Sequence, residues 1–395
     1  MALPQANQSS FCFLCANLAP NTLQVTDFSG VDALSTPYRF TLTLESTDFA
    51  IAPQQLLGHP ATLCIVGHEN TYSYSGIVRT FRTLDHSSDC ARYSVELVPR
   101  LWLLSLNQRS RVFQQMSIPQ IVTAVLNAGG LGGSFEMDTT PSLHPPQEYV
   151  VQYQESDLAF ISRLLEQTGI WYFFSEPPHA PDHPLSQPTT ERCIITDRPA
   201  RFLPIEPSPT LPFRPTSGLH EQMDEQQREA INRIERTTHL IPAQAIVGDY
   251  NYRTPEVALH AEAGIDSGGQ GEQIIFGVHA HDICQTERAA RLLANRIRSG
   301  GEVIEGGGNC HGFRAGCRFT LQNHNSPSVN DTYLLSRVEH RGDQFNTART
   351  SSPFTYENNF SAVGSERLTS YAPQLTTLPP KLSGILTATI ESDGG

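Results

Sequence analysis

At 395 residues the chain holds enough material for two or three domains, each able to bury a proper core. Its formal net charge of −13 excludes a protein that works by gripping phosphate backbones, which needs a basic stripe to release counterions. A charged fraction of 17%, below the roughly 25% usual for soluble domains, with 28 Pro and 28 Gly, points to a turn-rich β protein with large protein-facing surfaces.

The N-terminal MALPQANQSSFCFLCANLAP lacks the basic stretch, apolar core and cleavage pattern of a secretory signal. No run approaches the ~18 apolar residues of a membrane span, so folding in solution is expected. Cys12 and Cys15 make a lone Cys-x-x-Cys, with no second pair at zinc-ribbon spacing and no βαβ pattern around it. The eight cysteines are thinly scattered, so core or strand positions in a reducing compartment are expected. Within residues 1–100, Tyr38-Arg-Phe-Thr-Leu-Thr-Leu alternates, Ala61-Thr-Leu-Cys-Ile-Val follows Gly58, and Tyr93-Ser-Val-Glu-Leu-Val ends before Pro99. Short strands at this spacing predict a small barrel or sandwich.

Residues 101–176 change to helical period. Ser117 and Gln120 form a capping box, and Ile121, Val122, Val125 and Leu126 share one face before Gly129-Gly130. From Tyr149 to Phe174 a strand leads into a second helix. Ser156 caps it, Asp157 suits its positive start, Leu158, Ile161, Leu164, Leu165 and Thr168 line one face, and Gly169 ends it in left-handed backbone. An aromatic strand follows, completing an α/β unit. Glu155 and Asp157 could serve acid–base hydrolysis, but their place at a helix start explains them without catalysis.

Between Pro177 and Pro215 the chain carries 11 prolines, which leaves a central strand only around Cys193-Ile-Ile-Thr and predicts a linker over 177–220. Residues 221–375 return to strands around one helix that begins at Thr286, with Glu287 at its start, Arg296 and Arg298 at its end and Gly300 beyond. Gly58-His-Pro-Ala-Thr-Leu and Gly316-Cys-Arg-Phe-Thr-Leu share spacing and lead respectively to Tyr74-Ser-Gly-Ile-Val and Tyr333-Leu-Leu-Ser-Arg-Val, an internal echo that fits two related barrels.

Two groups carry candidate chemistry. His279 and His281, at i and i+2 in Phe276-Gly-Val-His-Ala-His-Asp-Ile-Cys, could ligate zinc in a hydrolase. Such an enzyme needs further His and Asp ligands from successive βα units, and the pattern supplies none. Cys310, His311, Cys317, His324 and His340 do not have zinc-finger spacing and read as strand and turn residues. No Gly-x-Ser-x-Gly, Walker loop or dinucleotide fingerprint is present, since Gly129 to Gly133 lacks the strand–loop–helix setting.

The order Gln152-Tyr-Gln-Glu-Ser-Asp-Leu-Ala-Phe-Ile-Ser-Arg-Leu-Leu-Glu, followed by Gly169-Ile-Trp-Tyr-Phe-Phe, closely resembles the hub segment of the VgrG spike proteins of bacterial type VI secretion, relatives of contractile-phage tail hubs. Arg109-Ser-Arg-Val-Phe-Gln-Gln-Met, Ile194-Ile-Thr-Asp, Leu211-Pro-Phe-Arg-Pro, Gly248-Asp-Tyr-Asn-Tyr-Arg-Thr-Pro, the Gly277–Arg298 helix and Gly316-Cys-Arg-Phe-Thr-Leu-Gln-Asn-His are similar to family landmarks in the family order.

The resemblance implies an α+β, mainly β fold. A first hub barrel (1–100), an α/β unit (101–176), a proline-rich linker with one short strand (177–220) and a second hub barrel with one helix (221–375) lead to the start of a truncated OB-type domain (376–395). It implies a structural protein and not an enzyme, with no catalytic residue, cofactor or metal. Three copies would form a pseudo-six-fold ring that adapts a spike to a hexameric, Hcp-like tube. Baseplate proteins, and a needle-tip protein or effectors reached through a missing C-terminal part, are its implied partners; nucleic acid and small-molecule substrates are not. Made in the cytoplasm without a signal peptide, the chain would leave through the type VI apparatus. The alternatives are a phage or phage-like tail hub and, in another class, the zinc-dependent hydrolase of His279 and His281.

Overall fold

The computed structural model describes residues 10–67, 69–179, 186–215, 229–344 and 355–381. Six strands form the first barrel: β1 (Phe11–Cys15), β2 (Gln24–Ala33), β3 (Thr36–Ser46), β4 (Pro60–Val66), β5 (Thr71–Thr83) and β6 (Ala91–Val98). They pair in the order β1-β2-β3-β6-β5-β4 and return to β1, every neighbour antiparallel. The alternation seen in β3 turns Tyr38, Phe40, Leu42 and Leu44 into the barrel, where none has exposed surface.

The next unit contains β7 (Gln108–Met116), α1 (Ile118–Ala128), β8 (Phe135–Asp138), β9 (Gln147–Ser156), α2 (Asp157–Thr168), β10 (Trp171–Ser175) and β11 (Arg192–Thr196). Strand β11 lies between antiparallel β10 and parallel β8, while β7 and β9 make a separate ribbon. Ser117 and Gln120 form the reciprocal capping box. The Ser156 hydroxyl accepts from the Ala159 amide at 3.1 Å, and Gly169, at φ +76°, closes α2 in left-handed backbone. Phe160 joins Ile161, Leu164 and Leu165 in one core that is continuous with the interior of the first barrel.

Beyond the unit come β12 (Leu203–Pro204), β13 (Thr210–Pro212), β14 (Ile231–Thr238), β15 (Gln244–Asp249), β16 (Leu259–Gly264), β17 (Glu272–Phe276), α3 (Ile283–Gly300), β18 (Glu302–Gly308), β19 (Cys317–Gln322), β20 (Thr332–Asp343), β21 (Thr355–Gly364) and α4 (Ser365–Leu368). The second barrel runs β13-β14-β18-β21-β20-β19 and back to β13, with a Phe213↔Ile231 bridge at the β13–β14 contact. Strand for strand this is the order of the first barrel. The echo at Gly58 and Gly316 thus marks counterpart strands, β4 and β19. One strand differs: β13 is parallel to β19, whereas its counterpart β1 is antiparallel to β4.

The proline-rich stretch therefore supplies a barrel strand as well as β11. Pro212 is tolerated at the last position of three-residue β13. Inserted in the second barrel is a further α/β unit in which β15 lies between antiparallel β16 and parallel β17, under α3. Helix α3 starts earlier than Thr286: Asp282 caps it by accepting from the Gln285 amide at 2.8 Å, and Gly300 lies inside it. Of the start expected for an OB-type domain over 376–395, residues 382–395 fall outside the described residues.

Candidate functional site

His279 and His281 sit in the exposed loop between β17 and α3. His279 has φ +60°. The His281 amide donates to Gln285 Oε1 at 2.9 Å and its carbonyl accepts from Asn251 Nδ2 at 2.9 Å, so this backbone organises the start of α3. Among the described residues no group of three or more His, Cys, Asp or Glu could hold a metal ion, and the hydrolase reading has no site to rest on.

The second loose cluster is dispersed through the second barrel. His311 pairs with Glu229 at 2.9 Å and stacks on Tyr356. His324 packs edge-on against Phe213, and the buried Cys310 thiol approaches the Ala230 carbonyl at 3.7 Å. Burial pushes the Cys310 thiol well above its ordinary range and Cys317 up to about 11, which leaves both as poor nucleophiles. Glu155 and Asp157 are also structural. Arg163 donates to Glu155 at 2.6 Å, and Asp157 receives Arg111 at 2.5 Å and Gln152 at 2.9 Å.

What the structure does assemble is a polar seam between the barrels. Strand β2 of the first pairs antiparallel with β20 of the second from Asp27↔Asp343 to Ala33↔Arg337, which merges both into one continuous sheet. Beneath this pairing, Asp32 Oδ2 accepts from the Ala315 amide at 3.1 Å and the Tyr74 hydroxyl at 3.3 Å. The same hydroxyl lies 3.0 Å from His340 Nε2, whose Nδ1 lies 2.7 Å from the Tyr356 hydroxyl. Arg314 places its guanidinium 4.1 Å above the Tyr74 ring and donates to the Ser73 carbonyl.

Electrostatics set the protonation of this seam. Burial lifts Asp32 to about 6 against the pull of Arg314. Burial, then Arg314 and His311, push His340 down to about 3 and keep its imidazole neutral near pH 7. Burial opposes the charge of Arg314, but Tyr74, Glu176 and Asp32 hold its pKa above the ordinary value. These groups can recognise and orient one barrel against the other.

A second tie joins the two α/β units. Glu166 of α2, buried, accepts from the amides of Thr376 and Thr377 at 2.9 Å and from their hydroxyls at 2.8 Å. Arg296 of α3 donates to the Pro373 carbonyl at 2.9 Å and to the Glu166 carbonyl at 2.8 Å. The segment after α4 is thereby strapped across both helices. None of Asp32, Tyr74, Arg314, Glu166 or Arg296 stands out as a tie in the sequence. The available signal is a Glu on the otherwise apolar Leu164-Leu165 turn.

A profile of the phage tail baseplate hub family (GPD) matches residues 31–345. A type VI secretion system spike protein of Pseudomonas aeruginosa, VgrG5, is 26% identical over 407 residues, covering 99% of this chain and 48% of that protein. The chain spans about half the length of the curated relatives it matches. Among solved structures, the E. coli c3393 protein superposes with a TM-score of 0.67 at 22% identity over 94% of this chain and 81% of that one. That protein is a component of the type VI secretion system with structural similarity to the T4 bacteriophage tail proteins gp27 and gp5. A Francisella PdpA–VgrG complex gives a TM-score of 0.57 at 9% identity, covering 93% of this chain and 59% of that one.

Proposed function

This chain belongs to the phage tail baseplate hub family, and from that premise we propose that it is the hub of a cell-puncturing type VI secretion spike. One observation carries the reading: two barrels of the same strand order stand side by side in a single chain, joined by the β2–β20 seam. Three such chains present six similar barrels, the symmetry needed to seat a three-fold spike on a hexameric, Hcp-like tube. The role is structural and not enzymatic, in keeping with a seam whose ionisable groups are buried and spent on one another.

The remaining partners follow from the same reading. Baseplate proteins surround the ring, and a needle-tip protein or effectors complete the spike. Nucleic acid and small-molecule ligands have no part, in line with a net charge of −13. Export proceeds through the type VI apparatus to the extracellular space or target cell. A phage or phage-like tail hub is the nearer alternative, since the fold serves both.

Light scattering over a concentration series, followed by binding to a hexameric Hcp-like ring, tests the reading. The expected result is a trimer that weakens to monomer on dilution and binds the ring only when trimeric. A monomer at every concentration that also fails to bind the ring overturns it. A trimer that ignores Hcp-like rings but binds a phage tube protein selects the phage alternative.

A further inference from the structure

The sequence sets Cys12 three positions from Cys15, but the fold separates them and gives Cys12 another neighbour. Both lie on extended β1, where three residues span about 10 Å, beyond the Cα separation of roughly 7 Å that a disulfide allows. Cys15 is buried with the barrel core, whereas Cys12 alternates with inward Phe11 and Phe13 and lies on the outer face, partly exposed. There it stands directly opposite Cys64 of β4. Among the described residues this is the one strand register that sets two cysteines across from each other.

The pairing is of the hydrogen-bonded kind. The Val66 amide donates to the Ser10 carbonyl at 2.8 Å and the Ala16 amide to the Pro60 carbonyl at 3.0 Å, so alternate pairs between them, Cys12 with Cys64 included, share this pattern. Such pairs hold their Cα atoms about 5.5 Å apart, at the separation a disulfide prefers. Their Cβ atoms stand about 5.5 Å apart where a disulfide takes about 3.5–4.5 Å, so the strands must close by about 1 Å, which leaves the bond easy to reduce again. The thiols feel each other: burial, then Cys12, pushes Cys64 well above its ordinary range, and burial lifts Cys12 to about 11. On its other side Cys64 pairs with Ser73, whose hydroxyl donates to Glu176 at 2.7 Å, so the chain after β10 covers Cys64 and solvent reaches Cys12.

We propose that Cys12 and Cys64 form a cross-strand disulfide by exchange with a low-molecular-weight disulfide, a reversible lock on the β1–β4 pairing that closes the first barrel. The Cys12 thiolate attacks one sulfur of the small disulfide, which makes a mixed disulfide and expels one thiolate. Cys64 then loses its proton and attacks the Cys12 sulfur, expelling the second. Two cysteine thiols are oxidised, one small disulfide is reduced to two thiols, and the two protons pass to the thiolates released. The order follows from access: the partly exposed sulfur is attacked and regenerated, and the buried one resolves. The site belongs to the single chain and needs neither the ring nor its tube.

The folded chain, exposed to oxidised glutathione at mildly alkaline pH, alkylated and digested without reductant, should yield a Cys12–Cys64 linked peptide and lose both alkylated thiols. Exposed Cys284 should instead retain glutathione and serves as the internal control. Excess reduced glutathione should reverse the link while the chain stays folded. Cys64→Ser should keep glutathione on Cys12, since nothing displaces it, and Cys12→Ser should leave Cys64 unmodified. Amide exchange in β1 should slow in the oxidised chain relative to the reduced one. A stable glutathione adduct on Cys12 of the parent chain, both thiols recovered intact, or linkage only after unfolding in urea overturns the site. Linkage with β1 exchange unchanged overturns the lock.

Discussion

The two barrels share a strand order but not a manner of closing. The first closes through a five-residue antiparallel register between β1 and β4, and its core runs on into α1, α2, β10 and β11. The second closes through three-residue parallel β13 and a single bridge to β14, around a smaller core of its own. One architecture has therefore been kept by two different means. The longer β1–β4 register and larger core of the first barrel lead us to expect that the second depends more on the seam.

Matched substitutions break this comparison most strongly. In each barrel an aromatic ring covers a glycine on the paired strand, Phe40 over Gly30 and Phe360 over Gly306, so close that a Cβ on either glycine would strike the ring. Phe40 has no exposed surface and meets the rings of Phe28, Tyr38 and Tyr74. Phe40→Ala should cost about 3–5 kcal/mol in chemical denaturation and lower the stability of the whole chain. Phe360→Ala should instead open the second barrel locally, seen as faster amide exchange confined to β18–β21. Equal global losses in both variants would show that the barrels unfold as one unit.

The seam sharpens the comparison through pH. Asp32, raised to about 6, contributes stability that is present below its unfolded value of 3.8 and lost as pH rises through 6. His340, depressed to about 3, contributes stability that is present above 6.5 and lost as pH falls toward 3. Between about pH 4 and 6 the two slopes oppose, each about 1.4 kcal/mol per pH unit, and cancel while Tyr74, Tyr356 and Arg314 stay in their usual forms. Asp32→Asn should expose the His340 slope, with stability rising with pH across this window. His340→Gln should expose the opposite slope. Urea midpoints at pH 4, 5 and 6 check both, and a flat profile in both variants would remove the seam from the account.

The legible parts of this molecule were the local ones. Alternation at Tyr38–Leu44, the Ser117/Gln120 box and the Ser156 and Gly169 ends of α2 each depend on residues within a few positions, so the sequence carries them directly. Strand β18, Glu-Val-Ile-Glu-Gly-Gly-Gly, has weak strand propensity and is held by pairing with β14 and β21, where Phe360, more than fifty positions later, covers Gly306. Helix α3 begins ahead of the expected Thr286 because Asp282 accepts from the Gln285 amide and so caps an earlier turn. Asp32 and Ala315 meet across a separation of 283 residues, a contact that no local pattern encodes. Ligation by His279 and His281 would likewise need distant partners, and among the described residues the fold brings none to them.

The smallest effect tests the tie that spans both halves. Glu166 stands on α2, packed with the first barrel's core, whereas Arg296 stands on α3 beside the second, and the strap from Pro373 to Thr377 is bonded to both. Glu166→Gln keeps the shape and one acceptor oxygen but loses the charge that four donors share. A bond to a charged group outweighs a neutral one by about 1 kcal/mol, so amide exchange at Thr376 and Thr377 should quicken by about five- to tenfold. Exchange in β3 and β20 should stay unchanged, because the barrels do not need the strap. If β20 also loosened, the strap would be a third support of the second barrel, and its dependence on the seam alone would have to be given up.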